Sequence, residues 1–73
     1  MYRVIGHSQC SYCKQAILLL ATKGKSFVYL DAREETNAAF VEQMREKGLS
    51  TVPQIWVDEE HIGGMTELQQ HLA

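Results

Sequence analysis

Two short β-prone runs flank a helical run at the start of the chain, and that order constrains the fold most. Tyr2–Ile5 (Tyr-Arg-Val-Ile) is β-prone and stops at Gly6, which predicts a strand. Between Cys13 and Lys23, Ala16, Ile17, Leu18, Leu19, Leu20 and Ala21 are flanked by lysines. Gly24 follows, and Lys23 stands near the negative end of a helix dipole. These signals predict a helix from about Ser11. Phe27–Leu30 (Phe-Val-Tyr-Leu) predicts a second strand. A strand–helix–strand unit of this kind is parallel, with a right-handed crossover.

The rest of the chain adds to one edge of that unit. Asp31-Ala32-Arg33 is a connector. Ala38, Val41, Met44 and Leu49 recur at helical spacing, with Glu42, Glu46 and Lys47 on other faces and Gly48 as the stop. Gln54–Val57 follows Pro53 and predicts a third strand. Asp58-Glu59-Glu60 reads as a solvated turn and His61-Ile62 as a short fourth strand, antiparallel to the third. Gly63-Gly64 ends it, and Met65–Leu72 predicts a terminal helix with Thr66 as its cap. The order β-α-β-α-β-β-α implies an α/β fold, a mixed four-stranded sheet with three flanking helices. Trp56 and Phe27 are expected in its core; His61 and His71 belong to no constellation. No repeat, linker or low-complexity stretch divides residues 1–73, so one domain is expected. A chain of this size buries only roughly 60% of its unfolded surface, so its core is thin.

Composition removes several classes of function. A net charge of -2 and a pI near 5.8 argue against nucleic acid as a partner, since neutralising phosphates takes clustered Lys and Arg. No apolar run approaches the roughly 20 residues of a bilayer span, and no membrane partner is expected. Met1–His7 lacks the apolar region of a secretory signal. The expectation is a cytoplasmic monomer, in a compartment where structural disulfides are rare.

Against that background the two cysteines stand out. Cys10-Ser11-Tyr12-Cys13 follows a strand and opens a helix, the context that makes Cys-x-x-Cys a redox candidate. A bridge across it would stabilise the fold by only roughly 2 kcal/mol, against about 4.7 for a 100-residue loop, so a chemical role outweighs a structural one. Cys10 lies at the first turn, where unpaired amides and the dipole favour a thiolate; Cys13 and His7 can add a hydrogen bond and a positive charge. Cys13, one turn further in, is expected to be more buried and less acidic. Cys10 is then the nucleophile and Cys13 the resolving thiol, with Cys10–Cys13 the redox-active disulfide. Two alternatives read the pair as free core cysteines or as half a zinc site with His7. A closed structural zinc site needs four ligands, and the remaining candidate donors, His61 and His71, form no second paired cluster. No metal is expected.

Two further motifs accompany the pair. Pro53 in Thr51-Val52-Pro53 is either an ordinary strand-edge proline or a cis turn. The cis turn would leave the Val52 backbone open beside Cys10, to pair with an added strand. Gly63-Gly64-Met65-Thr66 is either a plain turn or a glycine pair allowing close approach to a helix start that holds a carboxylate.

Together, Cys10-Ser11-Tyr12-Cys13, Thr51-Val52-Pro53-Gln54-Ile55 and His61-Ile62-Gly63-Gly64-Met65 resemble the glutaredoxin family in order and spacing, over nearly the whole chain. The resemblance implies a thioredoxin-like fold, a cis-proline at Pro53, and thiol–disulfide exchange with glutathione as reductant and no permanently bound cofactor. It also implies a glutathione site at His7, Tyr12, Thr51, Val52, Pro53, Gly63, Gly64, Met65 and Thr66. Val52 would take the cysteinyl backbone, and the helix start at Gly64, Met65 and Thr66 the γ-glutamyl carboxylate. Tyr12 would flank the active sulfur. Implied partners are glutathione and disulfide or glutathionylated protein clients, ribonucleotide reductase among them by analogy.

The chain departs from the family pattern at Ser11 (usually Pro), His7 (usually Lys), Phe40 (often Gln or Arg) and Thr66 (usually acidic). Ser11 can cap the helix or donate a hydrogen bond and so bears on the stability of the thiolate, while His7 and Phe40 bear on glutathione's glycine carboxylate; together the departures touch glutathione affinity rather than redox activity. Two other functions fit the same motifs: a thioredoxin-like electron donor reduced by a flavoenzyme, and a [2Fe–2S] carrier ligated by Cys10 in a dimer.

Overall fold

A computed structural model describes all 73 residues. The elements are β1 (Tyr2–Gly6), α1 (Ser11–Thr22), β2 (Phe27–Asp31), a 3-10 turn (Glu35–Asn37), α2 (Ala38–Glu46), β3 (Gln54–Val57), β4 (Glu60–Gly63) and α3 (Met65–Leu72). The sheet order is β2-β1-β3-β4. β1 runs parallel to β2 and antiparallel to β3, and β4 pairs antiparallel with β3. This is the mixed sheet the sequence predicts.

Side chains alternate across a strand, so each strand supplies both faces of the sheet. Tyr2, Val4 and Ile55 join Ala16, Leu20 and Leu68 in one buried cluster, which seats α1 and α3; Phe27 and Tyr29 pack against it. Ile5 and Trp56 join Met44 in a second cluster, which seats α2, with Leu30, Phe40 and Leu49 around it. The sheet is thus covered on both faces, and burying a side chain such as Ile5 fully contributes about 1.5–3 kcal/mol.

Four local expectations change. Glu60 is not a turn residue but the first residue of β4, opposite Val57, so the turn is Asp58-Glu59, with Asp58 at φ 54°. Leu49 lies beyond α2, and the amides of Lys47, Gly48 and Leu49 close the helix end instead. A 3-10 turn precedes α2, where Asn37 donates its side-chain amide to the Asp31 carbonyl at 2.9 Å. Thr66 does not cap α3. Gly64 is the cap residue, and Glu67 Oε1 reaches back to accept the Gly64 N–H at 2.7 Å.

One pairing has no counterpart in the sequence reading. The Arg3 guanidinium lies 4.9 Å from the Phe40 ring centroid and 5.0 Å from that of Trp56. Two aromatic faces thus accommodate a cation on the α2 side of the sheet.

Candidate active site

The two cysteines sit where β1 feeds α1. Cys10 is the N-cap of α1, with extended backbone (φ -100°, ψ 111°), and its sulfur fills the place an oxygen usually takes in a cap. The Cys13 N–H donates to Cys10 Sγ at 3.1 Å. Cys10 is partly exposed, whereas Cys13 is 1% exposed. Burial pushes the Cys13 thiol up to about 12, helped by its hydrogen bond to Cys10. The two thiols therefore differ as their depth in the helix predicts: Cys13 holds its proton while Cys10 faces the surface.

Gly6 makes room for this pair. A Cβ there would overlap Cys13 Sγ, lie 3.0 Å from Cys13 Cβ and 3.4 Å from Tyr29 Cε2. Burial also raises the Tyr29 hydroxyl above its ordinary value, with Cys13 the next contributor. Neither Gly6 nor Tyr29 stands out in the sequence, because their closeness to Cys13 comes from strand pairing and helix packing.

The Val52–Pro53 peptide bond is cis. The Val52 carbonyl oxygen lies 3.8 Å from Cys10 Sγ, and the Val52 amide has no hydrogen-bond partner within the chain. Gln54, buried on β3, anchors this loop. Its Nε2 donates to the Thr51 carbonyl at 3.0 Å, and its Oε1 lies 2.8 Å from His61 Nε2. His61, which the sequence left without a role, also packs on Trp56 at 4.8 Å between centroids.

A cleft of about 320 Å³ opens between this loop, Tyr12 on α1 and the start of α3; Thr51, Val52, Pro53, Gly64, Met65 and Thr66 line it. Gly63 takes φ 128° to make the turn into α3. The Gly64 N–H, expected to meet a carboxylate, is already taken by Glu67, which leaves the amides of Met65 and Thr66. His7 stands apart from the cleft lining, and its Nδ1 accepts the Gln9 N–H at 3.3 Å. Phe40 lies on the α2 face against Arg3 rather than in the cleft. No three or more His, Cys, Asp and Glu side chains converge on a common point, and no helix is long and apolar enough to cross a membrane.

The family model for glutaredoxin matches residues 1–62. The chain is similar to glutaredoxin 3 of Escherichia coli (strain K12), 47% identical over 60 residues that span 81% of this chain and 70% of the relative. Among solved structures it is similar to glutaredoxin 1 of Francisella tularensis, crystallised with cacodylate. The TM-score is 0.78 at 30% identity, over 96% of this chain and 88% of the other. A buckwheat glutaredoxin–glutathione complex shares the fold, with TM-score 0.79 and 23% identity over 96% of this chain and 66% of the other.

Proposed function

The chain belongs to the glutaredoxin family of thiol–disulfide oxidoreductases, and from that premise we propose that it uses glutathione to reduce protein disulfides and glutathionylated proteins. The observation that carries this reading is the Cys10–Val52 relation. A partly exposed sulfur lies 3.8 Å from a carbonyl whose neighbouring amide is free. An extended substrate backbone pairs with Val52 there while its sulfur meets Cys10.

Each step follows from the difference between the two thiols. The Cys10 thiolate attacks one sulfur of the substrate disulfide. A Cys10–substrate disulfide forms, and the leaving sulfur departs with the electron pair and takes up a proton. Cys13 then loses its proton and attacks the Cys10 sulfur. The substrate thiolate is released and Cys10–Cys13 is oxidised. Two glutathione molecules return the pair to dithiol and leave as glutathione disulfide. With a glutathionylated substrate, Cys10 takes the glutathionyl group and a second glutathione removes it.

The cleft beside Tyr12 suits glutathione, the ligand of the buckwheat complex. Thr51, Val52 and Pro53 form its wall near Cys10. Met65 and Thr66 offer the two open amides to the γ-glutamyl carboxylate at the positive end of α3. This chemistry belongs in the cytoplasm, where glutathione supplies the electrons.

Turnover of a glutathionylated peptide coupled to glutathione reductase tests the reading against the same peptide with thioredoxin reductase. Turnover with the first and none with the second is expected. The opposite result assigns the protein to flavoenzyme-driven electron transfer.

A further inference from the structure

Thr51 and Val52 separate two depressions, only one of which the glutathione reading occupies. The second, about 400 Å³, lies on the α2 side of the loop. Ala32, Val41, Met44, Leu49 and Val52 give it an apolar lining, and Arg45 stands on its edge. Met44 is buried there, while Val41, Leu49 and Val52 are half-buried. The groove is therefore an apolar surface that begins at the residue beside the reactive sulfur.

An extended substrate paired with Val52 places its side chains alternately toward and away from the protein. Residues two apart share a face and lie about 6.5–7 Å apart along the chain. When a client's cysteine points at Cys10, the side chain two positions away on the α2 side points into this groove. We infer that the groove binds an apolar side chain two residues from the reacting cysteine of a polypeptide client. It thereby selects among protein substrates. The inference rests on the exchange site at Cys10 and Val52, and it needs no glutathione. A side chain that enters the groove loses water contact against Val41 and Leu49, so Leu or Met is favoured over Ser or Asp.

The test uses pre-reduced protein and short peptides whose one cysteine is disulfide-bonded to thionitrobenzoate. The Cys10 thiolate attacks the peptide sulfur, the bond to the aromatic sulfur breaks, and the coloured thiolate leaves with the electron pair. The rate is followed against peptide concentration in a single turnover. One peptide pair carries Leu or Ser two residues before the cysteine, another two residues after. Expected is a half-saturating concentration about tenfold lower for Leu than for Ser in one of the pairs, as for one largely buried leucyl side chain. Val41 belongs to neither buried cluster, so Val41→Glu leaves the core intact. The variant should abolish the Leu preference and leave the rate with cysteine–thionitrobenzoate disulfide unchanged. Equal half-saturation for Leu and Ser in both pairs overturns the inference. So does a preference that survives Val41→Glu. Because glutathione is absent, failure of the glutathione reading leaves this result interpretable.

Discussion

The backbone nitrogen of Cys13 lies 3.1 Å from the sulfur of Cys10, so the buried member of the pair supplies the donor that holds the exposed one. The contact runs through the main chain and survives replacement of the Cys13 side chain. Cys13→Ser should therefore leave Cys10 capped and reactive. It should keep turnover of small glutathione mixed disulfides and lose the dithiol reduction of protein disulfides. Cys10→Ser should lose both. Steady-state assays with glutathionylated cysteamine and with a disulfide-bonded protein check the split; equal losses in the two variants would contradict it.

The raised Cys13 thiol also makes stability depend on pH. Its ordinary value is 9.0 and the fold holds it at about 12. Above pH 9 the unfolded chain loses this proton while the folded chain keeps it, so unfolding becomes easier as pH rises. The contribution is complete below pH 9 and is lost progressively up to about pH 12. Between pH 7 and 10 the reduced protein should lose about 1 kcal/mol more than Cys13→Ser does, measured by urea unfolding at each pH. Tyr29 pulls in the same direction, chiefly through its own burial, and that part is common to both proteins in the comparison.

Gly6→Ala should act on the same thiol from the strand side. The new methyl group overlaps Cys13 Sγ and presses toward Tyr29. Overpacking of this kind costs about 1–3 kcal/mol, and here it displaces the resolving sulfur. Thermal unfolding should fall accordingly, and reduction of protein disulfides should slow more than exchange with small mixed disulfides. An unchanged ratio of the two rates would remove Gly6 from the account.

Glu67 separates stability from affinity. Its carboxylate caps Gly64 and puts a negative charge on the wall of the cleft. Glu67→Gln keeps the reach-back to Gly64, since glutamine serves in the same capping arrangement, and removes the charge. Stability should change little, and S-methylglutathione should bind about two- to fivefold tighter, as for one exposed like-charge contact of about 0.4–1 kcal/mol. Calorimetry on a Cys10→Ser background measures it. Weaker binding would place the ligand's carboxylate elsewhere.

Strand and helix order was legible because it rests on local patterns. Tyr2–Ile5 stops at Gly6, Phe27–Leu30 and Gln54–Val57 stand between turn-forming residues, and the α1 signals agree with one another. Cys10 and Cys13 were legible because their motif carries chemistry at short spacing, whereas the cis turn at Pro53 followed only from the family resemblance. What escaped depends on residues distant in sequence. The Gly6–Cys13 contact needs α1 laid on β1, and the Arg3–Phe40–Trp56 stack needs three elements in register. The Gln54–His61 pair needs the β3–β4 hairpin closed. Thr66 as cap was a local error with a local signal beside it: Glu67 stands three residues after Gly64, the spacing of a reciprocal cap.

The central place of β1 sets an order of events during synthesis. Its antiparallel partner β3 and the Val52 carbonyl arrive late; Val52 follows Cys10 by 42 residues. At ribosomal rates of about 5–20 residues per second, the interval is roughly 2–8 s. Throughout it the nascent chain carries both thiols without the loop that later faces them, and one edge of β1 is unpaired. The newborn polypeptide is thus a plain dithiol before it is a redox protein.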